Sequence, residues 1–427
     1  MAKITWLNHA SFALDDGDVR LVCDPWLTGT AFNRGWRLLS PSVFSPDAFA
    51  SVTHIWFSHQ HPDHFSPGDL RAIPPEIRAA ITVLYHETID KKVVRFCRSL
   101  GFADAIELRN DSWHEISPRM RVLCNGWSDR DSWLAIQTPH HTILNVNDCV
   151  IDSPALARQI GRLVPKADVL LTQFSYANWA GNPDAVDFRR AHAKEKLDRI
   201  AIQCDVFQPR YVVPFASYVW FSHEENFYHN AEMNRITGVA RFLEEHLRRD
   251  AVVLYPGDEW EIGGQHDWRQ AAQRYEQDFD ACLARGPVDR SAAVPPEKLE
   301  RACVEFLKRI KKRNPLLPML PNMDTTIELT DVPRRVHLDL NGLRDAHGSE
   351  APDIAMSSES LLFALRAPWG SNALAVNGRY TEPRPGSAKR FFNLFRAADL
   401  NDHGKGFDFT WLRKTLGTRL RKSLARV

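Results

Sequence analysis

The segment from Trp56 to Phe65 reads Trp-Phe-Ser-His-Gln-His-Pro-Asp-His-Phe and sets His59, His61, Asp63 and His64 directly behind an apolar run. Imidazole and carboxylate donors suit zinc, iron or manganese, and the lack of cysteine in this segment argues against a thiolate site. A strand ending in His-x-His turns alternate residues along the loop that follows. Asp63 and His64 then open the next turn, so two adjacent cations can be held. A cluster of exposed histidines is the alternative, but imidazoles this close repel on protonation unless a metal holds them neutral. His9, at a strand end, is placed to serve such a site as a donor or proton shuttle, a surface histidine being the other reading. Asp24, before Pro25-Trp26, can accept from a ligand imidazole and fix its tautomer, or simply form an Asx turn.

These groups need a frame. Short strands are predicted at residues 4–7, 11–14, 19–23 and 52–57, separated by Gly, Asp and Pro, with further strands at 133–137 and 142–146 about a tight turn at 138–141. Helical periodicity runs over 88–100, 186–204 and 231–249. Strand, loop and helix alternate up to strands at 252–255 and 260–262, which predicts a layered α/β domain over residues 1–285. After a helix at 268–285, Gly286-Pro287 and Pro295-Pro296 mark a boundary, and residues 286–427 form a smaller α+β unit with a basic C-terminal helix.

Composition narrows the class. The 427 residues are 44% hydrophobic and 25% charged, with a net charge of +1, which excludes fibrous, coiled-coil and disordered readings. That balance also excludes nucleic-acid or membrane-surface binding through overall charge. No run of about 18 apolar residues occurs and the N-terminus lacks a signal-peptide layout, so a cytoplasmic location is expected. Cys23, Cys97, Cys124, Cys149, Cys204, Cys282 and Cys303 form no CxxC pair and read as buried, reduced thiols. Two basic stretches stand out, Lys308 to Arg313 and a C-terminal one carrying Arg413, Lys414, Arg419, Arg421, Lys422 and Arg426. Solvated helix faces are their usual meaning, and docking of an acidic partner or of substrate phosphates is the functional one.

The HxHxDH arrangement of His59, His61, Asp63 and His64 resembles that of the metallo-β-lactamase superfamily. The resemblance implies a four-layer αβ/βα sandwich with a dinuclear metal site, His59 and His61 on one ion and Asp63 and His64 on the other. It also implies a bridging carboxylate after a later strand, for which Asp148 is chosen over Asp152. A third imidazole is expected just before the 133–137 strand, where the chain offers Asp129 or Asp131 instead. His140 and His141 lie in the turn at that strand's far end and read as surface residues. The final ligand expected after residues 211–214 is His223, with His229 behind it.

Longer stretches are similar to the catalytic part of the CMP-N-acetylneuraminate hydroxylase family. They are His9-Ala10-Ser11-Phe12, Cys23-Asp24-Pro25-Trp26-Leu27, Asp131-Ser132, Ile143 through Cys149, and Tyr211 through Ala216 running on to His223. A more distant likeness is to lactonases of the ascorbate-6-phosphate type. That hydroxylase family carries a Rieske iron–sulfur module, whose paired Cys-x-His and Cys-x-x-His ligands this chain lacks. An external electron donor, such as a ferredoxin and its reductase, is therefore expected. Carboxylate in place of imidazole favours ferric iron and oxygen chemistry over zinc-bound water. The expected activity is that of a dinuclear-iron, O2-dependent monooxygenase, a hydroxylase of a polar small molecule, carrier- or nucleotide-linked substrates included. Asp63, Asp148 and His9 are the expected catalytic groups. A zinc or manganese hydrolase of lactones, esters or phosphodiesters is the alternative. Tyr176, Asn178 and Trp179, and Trp220, Phe221 and Tyr228 beside His223, are expected to wall a pocket.

Overall fold

Alternation along the first strands shows how the sandwich assembles. Ile4, Trp6, Phe12, Leu14, Leu21, Cys23, Trp56 and Leu84 share one apolar cluster, while Leu7, Ala13, Val22, Ile55, Phe57, Val83 and Tyr85 share another. Successive side chains of a strand point to opposite faces, so a strand buried on both sides feeds two cores. The computed structural model describes residues 2–128, 131–346 and 351–408. By contacts the chain divides into two units. The first comprises Met1–Ala180, Ala185–Ser222 and Phe227–Gly286, and the second Gly181–Asp184, His223–Asn226 and Pro287–Val427.

The first unit holds two seven-stranded sheets. One runs in the order Glu259–Glu261, Lys3–Asn8, Ser11–Asp16, Val19–Cys23, His54–Phe57, Thr82–His86, Asp104–Leu108. Its last four strands are mutually parallel. The other runs Asp250–Ala251, Tyr211–Phe215, Val169–Gln173, Thr142–Asn147, Asp131–Gln137, Met120–Trp127, Trp113–Ser117. Trp6, Phe12 and Trp56 pack between the sheets with Val122, Cys124, Leu134 and Ile136 of the second, and the Trp56 indole donates to Cys124 Sγ at 3.3 Å. On the outer face of the first sheet, Val93, Val94 and Cys97 of the Lys92–Ser99 helix cover Ile55 and Val83. On the second, Ile200, Cys204 and Phe207 of the Val186–Phe207 helix enter the core. Helix, sheet, sheet and helix are the four layers expected.

Two expected elements differ. The predicted helix over 231–249 starts only at Ile236 and widens into a π-turn at Phe242–His246. Just before it, Asn234 Nδ2 donates to the Phe174 and Ala193 carbonyls, side-chain bonds that compete with helix propagation. Residues 252–255 leave the ladder early; only Val252 N still donates to the Val212 carbonyl, at 2.9 Å.

The second unit has a four-stranded sheet ordered Gly342–Asp345, Arg334–Asp339, Asp324–Leu329, Ile354–Met356. The helices Pro296–Arg313, Ser358–Arg366, Gly370–Asn377 and Lys389–Asp402 belong to it, with Phe306 and Phe395 in ring contact at 4.5 Å. Within this unit Arg379 is fully buried against Glu225 Oε2 at 2.8 Å and Glu359 Oε2 at 3.2 Å. The C-terminal basic stretch, Arg413 to Arg426, falls outside the described residues. All seven cysteines are buried and free. Among the described residues no helix is long and apolar enough to cross a membrane.

Candidate metal centre

Asp24, Ser58-His59 and His86 stand at the carboxyl ends of three adjacent parallel strands, and Asn147-Asp148 and Gln173 at the ends of two in the other sheet. The two sets meet where Asn147 Nδ2 donates to Asp24 Oδ2 at 2.7 Å. Carboxyl ends of parallel strands are where α/β sheets leave a crevice for ligands. The backbone is strained at this edge: His9, Asp24 and Asn147 have φ of 35, 42 and 50°. Left-handed conformations in non-glycine residues cost energy and persist where the surroundings demand them.

Asp24, with no exposed surface, organises the centre. Its Oδ1 accepts from Ser58 N at 2.7 Å, and its Oδ2 accepts from Ser58 Oγ at 2.7 Å, Asn147 Nδ2 at 2.7 Å and His64 Nδ1 at 3.0 Å. The Asp24 bond keeps a proton on His64 Nδ1, so Nε2 is the nitrogen a cation would use once it displaces the proton there. That Nε2 lies 3.4 Å from Asp63 Oδ2 and 3.4 Å from Asp148 Oδ2. His9 Nε2 is also 3.4 Å from Asp63 Oδ2. Two groups of donors with metal-binding spacing result, His9 with Asp63 and His64, and His59 with His64 and Asp148.

His59 Nδ1 is held by Ser58 Oγ at 2.8 Å, which aims Nε2 the other way, toward His61 Nδ1 at 2.9 Å and Asp131 Oδ1 at 4.0 Å. Ser132 Oγ donates to the Ser58 carbonyl at 2.6 Å and ties the Asp131 strand to this turn. Phe32 packs edge-on against the His61 ring at 5.4 Å and against Trp36 at 4.6 Å.

Burial pushes the His59 imidazole well below its ordinary range, and His64 and His61 push the same way, so it stays a neutral donor. Burial opposes ionisation of Asp63 and His64, but their mutual attraction outweighs it. His64 and His9 hold Asp63 well below the usual carboxylate range, and Asp63, Asp148 and Asp24 hold His64 well above that of imidazole.

Whether these residues suit a metal can be judged from their unmet bonding. His9 Nδ1 and Nε2, Asp63 Oδ1 and His64 Nε2 are buried with no hydrogen-bond partner. Buried polar atoms are ordinarily paired, and cations here would satisfy Asp63 Oδ1, His64 Nε2 and one nitrogen of His9, the other nitrogen keeping its proton. Imidazole nitrogens and carboxylate oxygens without thiolate fit zinc, manganese or iron.

The structure thus gathers His59, His61, Asp63, His64, Asp131, Asp148 and His9 at one place. Asp129 lies outside the described residues, and Asp152 is exposed. His140 is exposed in the turn that Thr138 N closes on the His141 carbonyl. His223 falls in the second unit, where its Nδ1 accepts from Glu225 N at 3.2 Å and lies 3.4 Å from Glu225 Oε2. Tyr176 Oη donates to the His229 carbonyl, Phe221 packs on Trp36 at 5.8 Å, and Trp179 contacts Phe188 at 6.3 Å. Sequence reasoning missed Ser58, Asn147, Gln173 and Lys196. Asn147 follows directly on the strand predicted over 142–146 and precedes Asp148, which was the available signal; no spacing in the sequence singles out Gln173 or Lys196.

Residues 3–114 match the family model described as "Beta-lactamase superfamily domain". The chain is 29% identical over 247 residues to cytidine monophosphate-N-acetylneuraminic acid hydroxylase of Cricetulus griseus, a match covering 53% of this chain and 42% of that one. The chain therefore spans less than half the length of this curated relative. Among solved structures, CmlA, a diiron beta-hydroxylase from Streptomyces venezuelae, aligns at 13% identity and a TM-score of 0.38, over 68% of this chain and 52% of that one. Isothiocyanate hydrolase from Delia radicum gut bacteria aligns at 13% identity and a TM-score of 0.44, over 61% of this chain and 98% of that one. The matched stretch, residues 3–114, carries the His59-to-His64 motif, and the groups of side chains that could hold a metal ion combine residues from it with Asp148.

Proposed function

We propose that the protein is a dinuclear-iron, O2-dependent monooxygenase that hydroxylates a polar small molecule, carrier- or nucleotide-linked substrates included. The observation that carries this reading is the donor set: Asp131, Asp148 and Asp63 converge with imidazoles, and a carboxylate stands 4.0 Å from His59 Nε2. Hard, anionic oxygen donors mixed with imidazole favour iron in oxygen-activating sites. The hydroxylase named among the relatives supports the same choice.

His59, His61 and Asp131 would hold one ion, Asp63 and His64 the other, with Asp148 shared. Bound there, two irons would supply the reductive activation of dioxygen. That chemistry would take two electrons from an external donor such as a ferredoxin with its reductase and two protons from solvent, one oxygen atom entering the substrate and the other leaving as water. The chain's own residues set the conditions for this. Asp24 holds His64 in the Nδ1–H tautomer, and Ser58 does the aiming for His59. His9 Nε2, buried beside Asp63 Oδ2, can hold a proton at the site, and Phe32, with Trp36 and Phe221 behind it, forms an apolar wall against His61.

The test is metal content after anaerobic purification, followed by exposure of the reduced protein to oxygen. About two irons per chain and rapid reoxidation by O2 are expected, both lost in His61→Ala. Zinc or manganese without iron, together with cleavage of lactones, thioesters or phosphodiesters, would overturn the proposal in favour of a hydrolase.

A further inference from the structure

Asp148 leaves its strand where the backbone holds it least. The pairing of Thr142–Asn147 with Val169–Gln173 shifts register between Asn145 and Asn147, and Asn147 adopts φ +50°. Asp148 Oδ2 lies 3.4 Å from His64 Nε2, and its other oxygen, Oδ1, accepts from Gln173 Nε2 at 3.1 Å. The Gln173 carbonyl oxygen in turn accepts from Lys196 Nζ at 2.8 Å. An ammonium has donors and no acceptor, so Lys196 forces the amide to point its oxygen inward and its NH2 at Asp148.

Lys196 is 7% exposed on the inner side of the Val186–Phe207 helix, whose Gln203 accepts from Thr172 Oγ1 at 2.6 Å and pins the helix to the same strand. A lysine here is a costly way to pack a helix on a sheet. Burial draws its ammonium down to about 8, Arg199 adds to the fall, and Asp148 opposes it. An apolar side chain of similar length would avoid that cost, and retained destabilising groups are a mark of function.

We propose that Gln173 and Lys196 are positioning residues of the metal centre: Lys196 orients the Gln173 amide, and that amide clamps Asp148 Oδ1 so that Oδ2 faces the cations. This inference rests on the metal reading above. Partners that orient a ligand from behind commonly carry about 10- to 100-fold in metal affinity.

The test is zinc titration of the full chain against a chromophoric chelator, for the parent, Gln173→Met, Lys196→Met and the double variant. Each single variant should weaken zinc binding by about 10- to 100-fold, and the double by no more than the stronger single, because the two act in series. Gln173→Met lies at the strand end and keeps Lys196 in place, so it carries the test if Lys196→Met fails to fold. Parent-like affinity in a folded Gln173→Met overturns the clamp while leaving the metal centre standing. Additive losses in the double variant overturn the series arrangement. A parent chain that binds no zinc, iron or manganese overturns both this inference and the reading beneath it.

Discussion

Replacing Asp24 by asparagine isolates one question, whether a carboxylate behind His64 makes it a ligand. The backbone at Asp24 has φ +42°, which asparagine adopts almost as readily as aspartate, so no new strain enters. One amide oxygen can still accept from Ser58 N. The amide NH2 would then meet three donors, Ser58 Oγ, Asn147 Nδ2 and His64 Nδ1, now 2.7, 2.7 and 3.0 Å from Oδ2. Ser58 can rotate its hydroxyl to accept, but His64 can comply only by giving up its Nδ1 proton, which leaves the remaining proton on Nε2, the atom that faces Asp63 and Asp148. Four bonds also lose their ionic partner. Charge-assisted bonds exceed neutral ones by about 1 kcal/mol each, so unfolding free energy should fall by about 3 to 4 kcal/mol. Metal affinity should fall about 10- to 100-fold. Urea unfolding of the metal-free protein and chelator-competition titration measure the two effects separately. Wild-type metal affinity in Asp24→Asn would refute the tautomer argument, and an unfolding midpoint equal to that of the parent would refute the accounting of the four bonds.

Lys196 makes stability depend on pH in a stated direction. Its folded value of about 8 lies below the unfolded value near 10.5, so between these pH values the native state holds fewer protons and becomes more stable as pH rises. The gain is about 3 kcal/mol across that window, and in urea titrations at pH 7.5, 9 and 10.5 it should vanish in Lys196→Met. In the second unit, Arg379→Met leaves Glu225 and Glu359 facing a lost cation. A loss of about 3 to 5 kcal/mol is expected by calorimetry, and a shift below 1 kcal/mol would show that the carboxylates are neutral or solvated.

Much of this molecule is legible in its sequence because the relevant information is local. His59, His61, Asp63 and His64 lie within six residues of chain, so their donor types and spacing mark a candidate metal site before any fold is known. The short apolar runs at 4–7, 11–14, 19–23 and 52–57, set apart by Gly, Asp and Pro, likewise announce strands, because breaker residues fix their ends. The helix expected over 231–249 starts late, at Ile236, for the opposite reason: Asn234 satisfies carbonyls from Phe174 and Ala193, residues distant in the chain.

Which distant side chains reach the site depends instead on how the sheets pair and pack. Asp24 meets Asn147, Asp131 approaches His59, and Lys196 reaches toward Asp148 through Gln173, each pair joined by strand order and register. Those properties arise from the pairing of whole sheets and the burial of their two faces. No spacing along the chain encodes them, so composition and motif can name candidate ligands that are neighbours in sequence but not the groups that hold them from behind.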